Sequence, residues 1–238
     1  MGPDVVGRTM GGEVRPLAAA ALAVTLLVVL AGDRSAAGRP CPAAVAFVIG
    51  DSQANGAVGV PARSTWVAQG LRAVGYDPYI AGASGTGYVA GSVVRGSGPE
   101  VGNYVDAYRD GDWRRPSHAR LVVLEGSGND AEAADATIRG NAERLISEVG
   151  ADYPDADIVV LGPIGDGSGR RSEIARVLAR VTGSAGLRFI DPSDWRTRYG
   201  LARHLAPDGV HFTQRGHDVT APVFADALRT AGLAPSCP

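Results

Sequence analysis

Three short motifs in the 238-residue sequence carry side chains able to do chemistry on a carbonyl group. Gly50-Asp51-Ser52 places a hydroxyl directly after the apolar run Ala44 to Ile49. A serine at the end of a strand and close to a helix N-terminus is placed for attack on an electrophile and for stabilising the negative charge that develops. Asp208-Gly209-Val210-His211 sets a carboxylate and an imidazole three residues apart. Asp208 can then hold one ring nitrogen of His211 while the other faces Ser52 as a general base. Gly126-Ser127-Gly128-Asn129-Asp130 follows another apolar run, and Asn129 can aim its amide at the oxygen of whatever Ser52 attacks. Taken singly, each motif is also an ordinary turn, because Gly, Asn, Asp and Ser at such spacings serve caps and left-handed positions. Their combined weight depends on whether the fold brings them to one place.

The elements that would position them are legible as an alternation of short apolar runs and helical patterns from Ala43 onward. Strands are expected over Ala44 to Ile49, Tyr79 to Ala81, Leu121 to Glu125, Ile158 to Leu161 and Leu187 to Ile190, each largely apolar, as buried parallel strands are. Helical spacing marks Val67, Leu71 and Val74, then Ile138, Leu145, Ile146 and Val149, then Ile174, Val177, Leu178 and Val181, with a last helix from about Gln214 to Thr230 that contains Pro222. Five parallel strands with helices on both faces make a three-layer α/β/α domain whose ligands bind beyond the carboxyl ends of the strands. That rule sends Ser52, Asn129 and the Asp208-His211 pair to the same edge of the sheet. Asp51 and Asp130 are read as structural, their carboxylates bonding loop N–H groups. His118, His204 and His217 are read as surface or capping residues.

Gly50-Asp51-Ser52, the glycine block Gly82-Ala83-Ser84-Gly85-Thr86-Gly87-Tyr88, the Asn129-Asp130 pair and Asp208-x-x-His211 followed by Phe212-Thr213 resemble, in order and spacing, blocks I, II, III and V of the SGNH (GDSL-type) hydrolases. The resemblance covers essentially all of Ala43 to Gly232. It implies a flavodoxin-like α/β fold and a serine esterase in which Ser52 is the nucleophile, His211 the general base and Asp208 its orienting partner. It also implies an oxyanion hole made by the Ser52 backbone N–H, the Gly85 backbone N–H and the Asn129 side chain, with Gly82 a rival for the glycine. No cofactor is implied. Two positions depart from the family pattern: Gln53 replaces the Leu of the GDSL name, and Ser127 stands where the third block normally begins with Gly. The absence of Gly-x-Ser-x-Gly around Ser52 argues against an α/β-hydrolase. The expected substrate is a small-molecule or polysaccharide ester. The alternatives are acetyl transfer to or from cell-envelope polysaccharide and a non-catalytic polysaccharide-binding module.

Composition excludes other classes. A formal net charge of −2 supplies no basic field for a nucleic-acid backbone, and 6% aromatic residues are too few for a base-stacking surface. All 23 basic residues are arginine and are scattered along the chain, which reads as coding bias. No zinc pattern of Cys and His occurs, so no metal site is expected. At the N-terminus, Arg8 and Arg15 precede an apolar run from Leu17 to Ala31 and the small residues Ser35-Ala36-Ala37. That is the layout of a secretory signal peptide over residues 1–37, with a mature domain over 38–238. The run is shorter than the roughly 18 to 20 apolar residues of a spanning helix, so a secreted protein with no stable span is expected, an uncleaved anchor being the alternative. Cys41 and Cys237, the sole cysteines, then suggest one disulfide between the two ends of the exported chain.

Overall fold

The structure is a computed structural model that describes residues 43–92 and 101–235. The segment 1–37 with the layout of a signal peptide and both cysteines, Cys41 and Cys237, lie outside the described residues. Five strands, β1 (Ala44–Gly50), β2 (Tyr76–Gly82), β3 (Leu121–Glu125), β4 (Asp157–Leu161) and β5 (Arg188–Ile190), form one sheet in the order β2-β1-β3-β4-β5. Every pairing is parallel. The helices are α1 (Ser52–Asn55), α2 (Trp66–Ala73), α3 (Tyr104–Asp110), α4 (Asp135–Asp152), α5 (Gly169–Ser184), α6 (Trp195–Arg198) and α7 (Gln214–Thr230).

The period-two geometry of the strands builds a core on each face of the sheet. Phe47 and Ile49 of β1, with Val122 and Leu124 of β3, pack with Tyr104 of α3, Ile138 and Leu145 of α4 and Leu178 of α5. Their neighbours Ala46, Val48, Leu121 and Val123 point the other way, to Trp66 and Leu71 of α2 and Phe224 and Leu228 of α7. The α2–α7 pair is joined by an edge-to-face contact of Trp66 with Phe224, ring centroids 5.2 Å apart. Both layers of helices expected from the sequence are present.

The elements differ from expectation chiefly at two places. β2 begins at Tyr76, three residues before the apolar stretch that marked it, because as an edge strand it needs only one neighbour and tolerates Asp77 and Pro78. The helix α3 carries no long apolar period, yet its Tyr104, Val105, Ala107 and Tyr108 are buried, and Asn103 caps it by accepting from the N–H groups of Val105 and Asp106. The last helix, α7, has the expected bounds and carries Pro222 inside it.

From β1 the chain crosses outward to β2 and then returns to β3 on the other side of β1, so the strand order reverses between β1 and β3. In open parallel sheets the crevice for ligands opens at that switch point. The loops after β1 and β3 flank it, and they carry Ser52 and Asn129. At the same edge Gly82 pairs with Gly50, where a Cβ on Gly82 would come within 2.0 Å of the Gly50 carbonyl oxygen. Any side chain there would push β2 off the nucleophile turn.

Candidate active site

β1 delivers Ser52 through a turn that the preceding residue shapes. Asp51 is the N-cap of α1, and its Oδ1 accepts the Gln53 backbone N–H at 2.8 Å. Ser52 is the first residue of that helical turn and is largely buried.

Opposite it, the segment before α7 is folded back by a bridge between Leu205 and Phe212, and the Ala206 N–H bonds the His211 carbonyl at 2.7 Å. Inside this loop Asp208 accepts three hydrogen bonds, from the backbone N–H groups of Val210 (2.9 Å) and His211 (3.0 Å) on Oδ1 and from His211 Nδ1 on Oδ2 at 2.8 Å. The ring bond first, then the two backbone donors, hold the Asp208 carboxyl well below the usual carboxylate range. With the Nδ1 proton committed to Asp208, Nε2 is left as an acceptor, and it stands 2.9 Å from Ser52 Oγ. The three side chains expected from the sequence are thus in one hydrogen-bonded line.

The loop after β3 is fixed by Asp130. Its carboxylate accepts from the N–H groups of Tyr88 (2.8 Å), Val89 (3.0 Å) and Ala90 (2.7 Å), so it clasps the block that contains Gly85. Ser127 has a left-handed backbone, φ 77°, which accounts for the usual glycine there. A side chain in that conformation costs roughly 1–2 kcal/mol. The 2.5 Å bond from its Oγ to Asp130 Oδ2 offsets part of this.

Asn129 lines the cleft with Ser52, as expected, but both N–H bonds of its amide are engaged. Nδ2 donates to the Thr86 carbonyl at 2.9 Å and to Asp51 Oδ2 at 3.2 Å. Two acceptors fix which end of the amide is nitrogen. The Thr86 bond also ties the Asn129 turn to the loop of Gly85, an exposed residue at φ 85° with open space on its Cβ side. Gly82, the rival, is held within β2 by its pairing with Gly50.

Beneath the nucleophile turn Asp51 lies against a second carboxyl, Glu125, which the sequence did not single out. Burial raises Asp51 to about 6. Burial and the nearby Asp51 raise Glu125 well above the usual carboxylate range, the Asp51 backbone N–H pulling weakly the other way. Neither Glu125 carboxyl oxygen meets a partner with hydrogen-bond geometry. His217 also differs from its expected surface place: it is 2% exposed, accepts the Trp66 N–H at Nδ1 (3.1 Å), and is lowered by burial to about 4.

The cleft beside Ser52 has a volume of about 20 Å³ and is lined in part by Gln53, Glu125, Asn129, Arg171 and Arg196. A larger open groove of about 430 Å³ runs along β2 past Tyr79 and Trp113 and touches none of the three aligned side chains. The chemistry decides for the smaller one. Sequence reasoning passed over the two arginines because 23 scattered arginines hide any pair that the fold brings together. It also treated Gln53 as a neutral departure. In the structure Gln53 Nε2 (3.3 Å) and Arg196 Nη2 (2.7 Å) both donate to the carbonyl of Val210, inside the Asp208–His211 loop. Among the described residues no group of three His, Cys, Asp or Glu side chains converges as a metal site.

The profile of the GDSL-like Lipase/Acylhydrolase family matches residues 48–219. No curated protein sequence matches the chain significantly. Among solved structures, an active-site mutant of a family two carbohydrate esterase from Clostridium thermocellum superposes with a TM-score of 0.62 at 16% identity, over 80% of this chain and 64% of that one. The native aryl esterase of M. smegmatis gives 0.56 at 18% identity, over 79% and 99%. Est24, a carbohydrate acetylesterase from Sinorhizobium meliloti, gives 0.55 at 15% identity, over 79% and 99%. These likenesses are of fold, whereas the profile spans both Ser52 and the Asp208–His211 loop. The chain therefore belongs to the GDSL-like lipase/acylhydrolase family, as a hydrolase of carboxylic esters.

Proposed function

We propose that the protein hydrolyses short-chain acyl esters through an acyl-enzyme on Ser52. The observation that carries this reading is the line Asp208 Oδ2, His211 Nδ1, His211 Nε2, Ser52 Oγ, with contacts of 2.8 and 2.9 Å. Ser52 Oγ attacks the ester carbonyl as His211 Nε2 takes its proton, and Asp208 remains ionised and stabilises the imidazolium. The tetrahedral oxyanion is met by the backbone N–H groups of Ser52 and Gly85 and by the Asn129 amide, which for this must loosen its bond to Asp51. Collapse expels the alcohol with the proton carried by His211. Water then repeats the sequence on the acyl-enzyme and frees the acid.

The short acyl group follows from the narrowness of the cleft beside Ser52, whose volume of about 20 Å³ is room for roughly one water molecule. A sugar as the alcohol part is supported by the carbohydrate esterases of like fold. Export after cleavage near residue 37 rests on the signal-like layout of the N-terminus. The test is a panel of 4-nitrophenyl esters from acetate to decanoate, with acetylated sugars beside them. Rates should be highest at acetate and fall at least about tenfold by octanoate, and Ser52→Ala should abolish them. Faster turnover of long chains, or activity surviving in Ser52→Ala, contradicts the proposal.

A further inference from the structure

Two positive charges line the cleft beside Ser52 and neither makes an ion pair among the described residues, although Asp51 and Glu125 line the same cleft and Asp51 feels the charge of Arg171. Arg196 is 3% exposed, which is rare for a charged side chain without an ionic partner. Its Nη2 is bound to the Val210 carbonyl, and its Nε is buried with no partner. Arg171, in the first turn of α5, reaches over Gly128, where its Nε would lie 3.6 Å from a Cβ on that residue. Among the described residues no carboxylate oxygen comes within 4.0 Å of either guanidinium. Asp166 and Asp208 act on Arg196 from farther away, and Arg171 opposes it. Arg170, next to Arg171, shows the contrast: it turns outward to Asp135 and Glu173. The first turn of α5 holds no acidic residue and Ser168 gives it no side-chain cap, so the unpaired N–H groups of that end add to the positive potential.

Burying a guanidinium without a counter-charge is costly, and a guanidinium stays protonated. A hydrolase that keeps such a group at its reacting centre gains most if the substrate brings the missing negative charge. We infer that the cleft formed by Arg171 and Arg196 beside Ser52 binds an anionic group of the ester substrate, a carboxylate or a comparable oxyanion attached close to the scissile bond. This rests on the esterase reading above and narrows its substrate to acidic esters. The anion can belong to the acyl part, as in a half-ester of a dicarboxylic acid, or to the alcohol part, as in an acetylated acidic sugar.

The test compares matched charged and neutral esters. On the acyl side, 4-nitrophenyl hemisuccinate is set against 4-nitrophenyl valerate, and on the alcohol side 4-acetoxybenzoate against its methyl ester. Wild-type protein should favour the anionic member of at least one pair by about tenfold or more in kcat/KM, as a charge-assisted hydrogen bond allows. The preference should shrink as salt is raised to 0.5 M, about where screening reaches contact distances. Arg171→Gln should reduce the ratio towards one, and Arg171→Lys should restore part of it. The side on which the preference appears identifies the source of the anion. Calorimetric binding of the same esters to Ser52→Ala protein reads recognition without turnover. If neutral esters are hydrolysed and neither pair shows a preference, the anion site is refuted and the esterase stands. If nothing is hydrolysed but Ser52→Ala still prefers the anionic esters, the esterase reading falls and the anion site stands. A preference unchanged by Arg171→Gln also refutes the inference.

Discussion

Replacing Asn129 by alanine removes a side chain that sits between the proposed oxyanion and two internal acceptors, and the structure sets the size of the effect. An oxyanion-hole donor is worth about 2.7 to 4 kcal/mol in turnover, on the order of 100- to 1000-fold. Asn129 does not hold a free donor in reserve, because its two N–H bonds go to Thr86 at 2.9 Å and to Asp51 Oδ2 at 3.2 Å. The proton offered to the oxyanion must be withdrawn from the longer of these, a bond to a carboxyl group, so part of the gain is offset. The loss in Asn129→Ala should therefore fall at the lower end, about 100-fold in kcat, with KM changed by only a few-fold. The Thr86 carbonyl loses a partner as well, which should cost roughly 1–3 kcal/mol of stability if water does not replace it. Steady-state kinetics on 4-nitrophenyl acetate, with a melting curve to establish that the variant is folded, measure both effects. A folded Asn129→Ala protein whose kcat stays within about threefold of wild type would refute the reasoning and leave Asn129 a clasp between two loops.

Asp208→Asn should lower kcat by up to about 10⁴-fold, since an amide facing Nδ1 removes the acceptor that fixes the tautomer of His211, and the readout is the same kinetic assay. His217 is held neutral in the fold at about 4, against an ordinary value of 6.5. The unfolded chain binds the extra proton between those values, so stability is intact above pH 6.5 and declines by up to about 3 kcal/mol as pH falls to 4. In His217→Gln, which can still accept the Trp66 N–H, melting temperatures over that range should lose most of the decline that wild type shows. The two ends of the described chain meet at Tyr76, which pairs with Ala44 and donates its hydroxyl to the Leu233 carbonyl at 2.8 Å. We propose that the protein, if exported as its N-terminus suggests, carries a Cys41–Cys237 bridge, with no thiol titrating before reduction and a loss of at most about 5 kcal/mol after it.

Much of this architecture was readable before any coordinates. The inner strands β1, β3 and β4 are largely apolar on both faces, as strands covered by helices must be, and two of the motifs stand directly after β1 and β3, while Asp208-Gly209-Val210-His211 stands just before α7. Ser52 was legible because it follows the first strand in a short turn, and Asp208 and His211 because a carboxylate and an imidazole stand three residues apart just before the last helix. What stayed hidden depends on pairs distant in sequence. Arg171 and Arg196 approach the same cleft from different helices, and nothing local distinguishes them from the other arginines. Glu125 reads as the end of an apolar strand, and its unpartnered carboxyl becomes visible only when Gly50 and Asp51 are packed against it. His217 lies one helical turn from exposed polar residues, and its burial is decided by α2 and Trp66. The helix α3 was missed because its burial comes from tyrosines and its start from an Asn cap, without a long apolar stripe.

The most direct test of the account is covalent labelling of Ser52 by a fluorophosphonate at neutral pH, with the modified residue mapped by mass spectrometry. Wild-type protein should carry a single phosphonyl group on Ser52 and lose its esterase activity in proportion. Ser52→Ala should remain unlabelled, and His211→Ala should react at least about 100-fold more slowly, the share that general-base catalysis supplies. Labelling of His211→Ala at the wild-type rate, or a label on any other residue, would contradict the assignment of Ser52 as a nucleophile activated by His211.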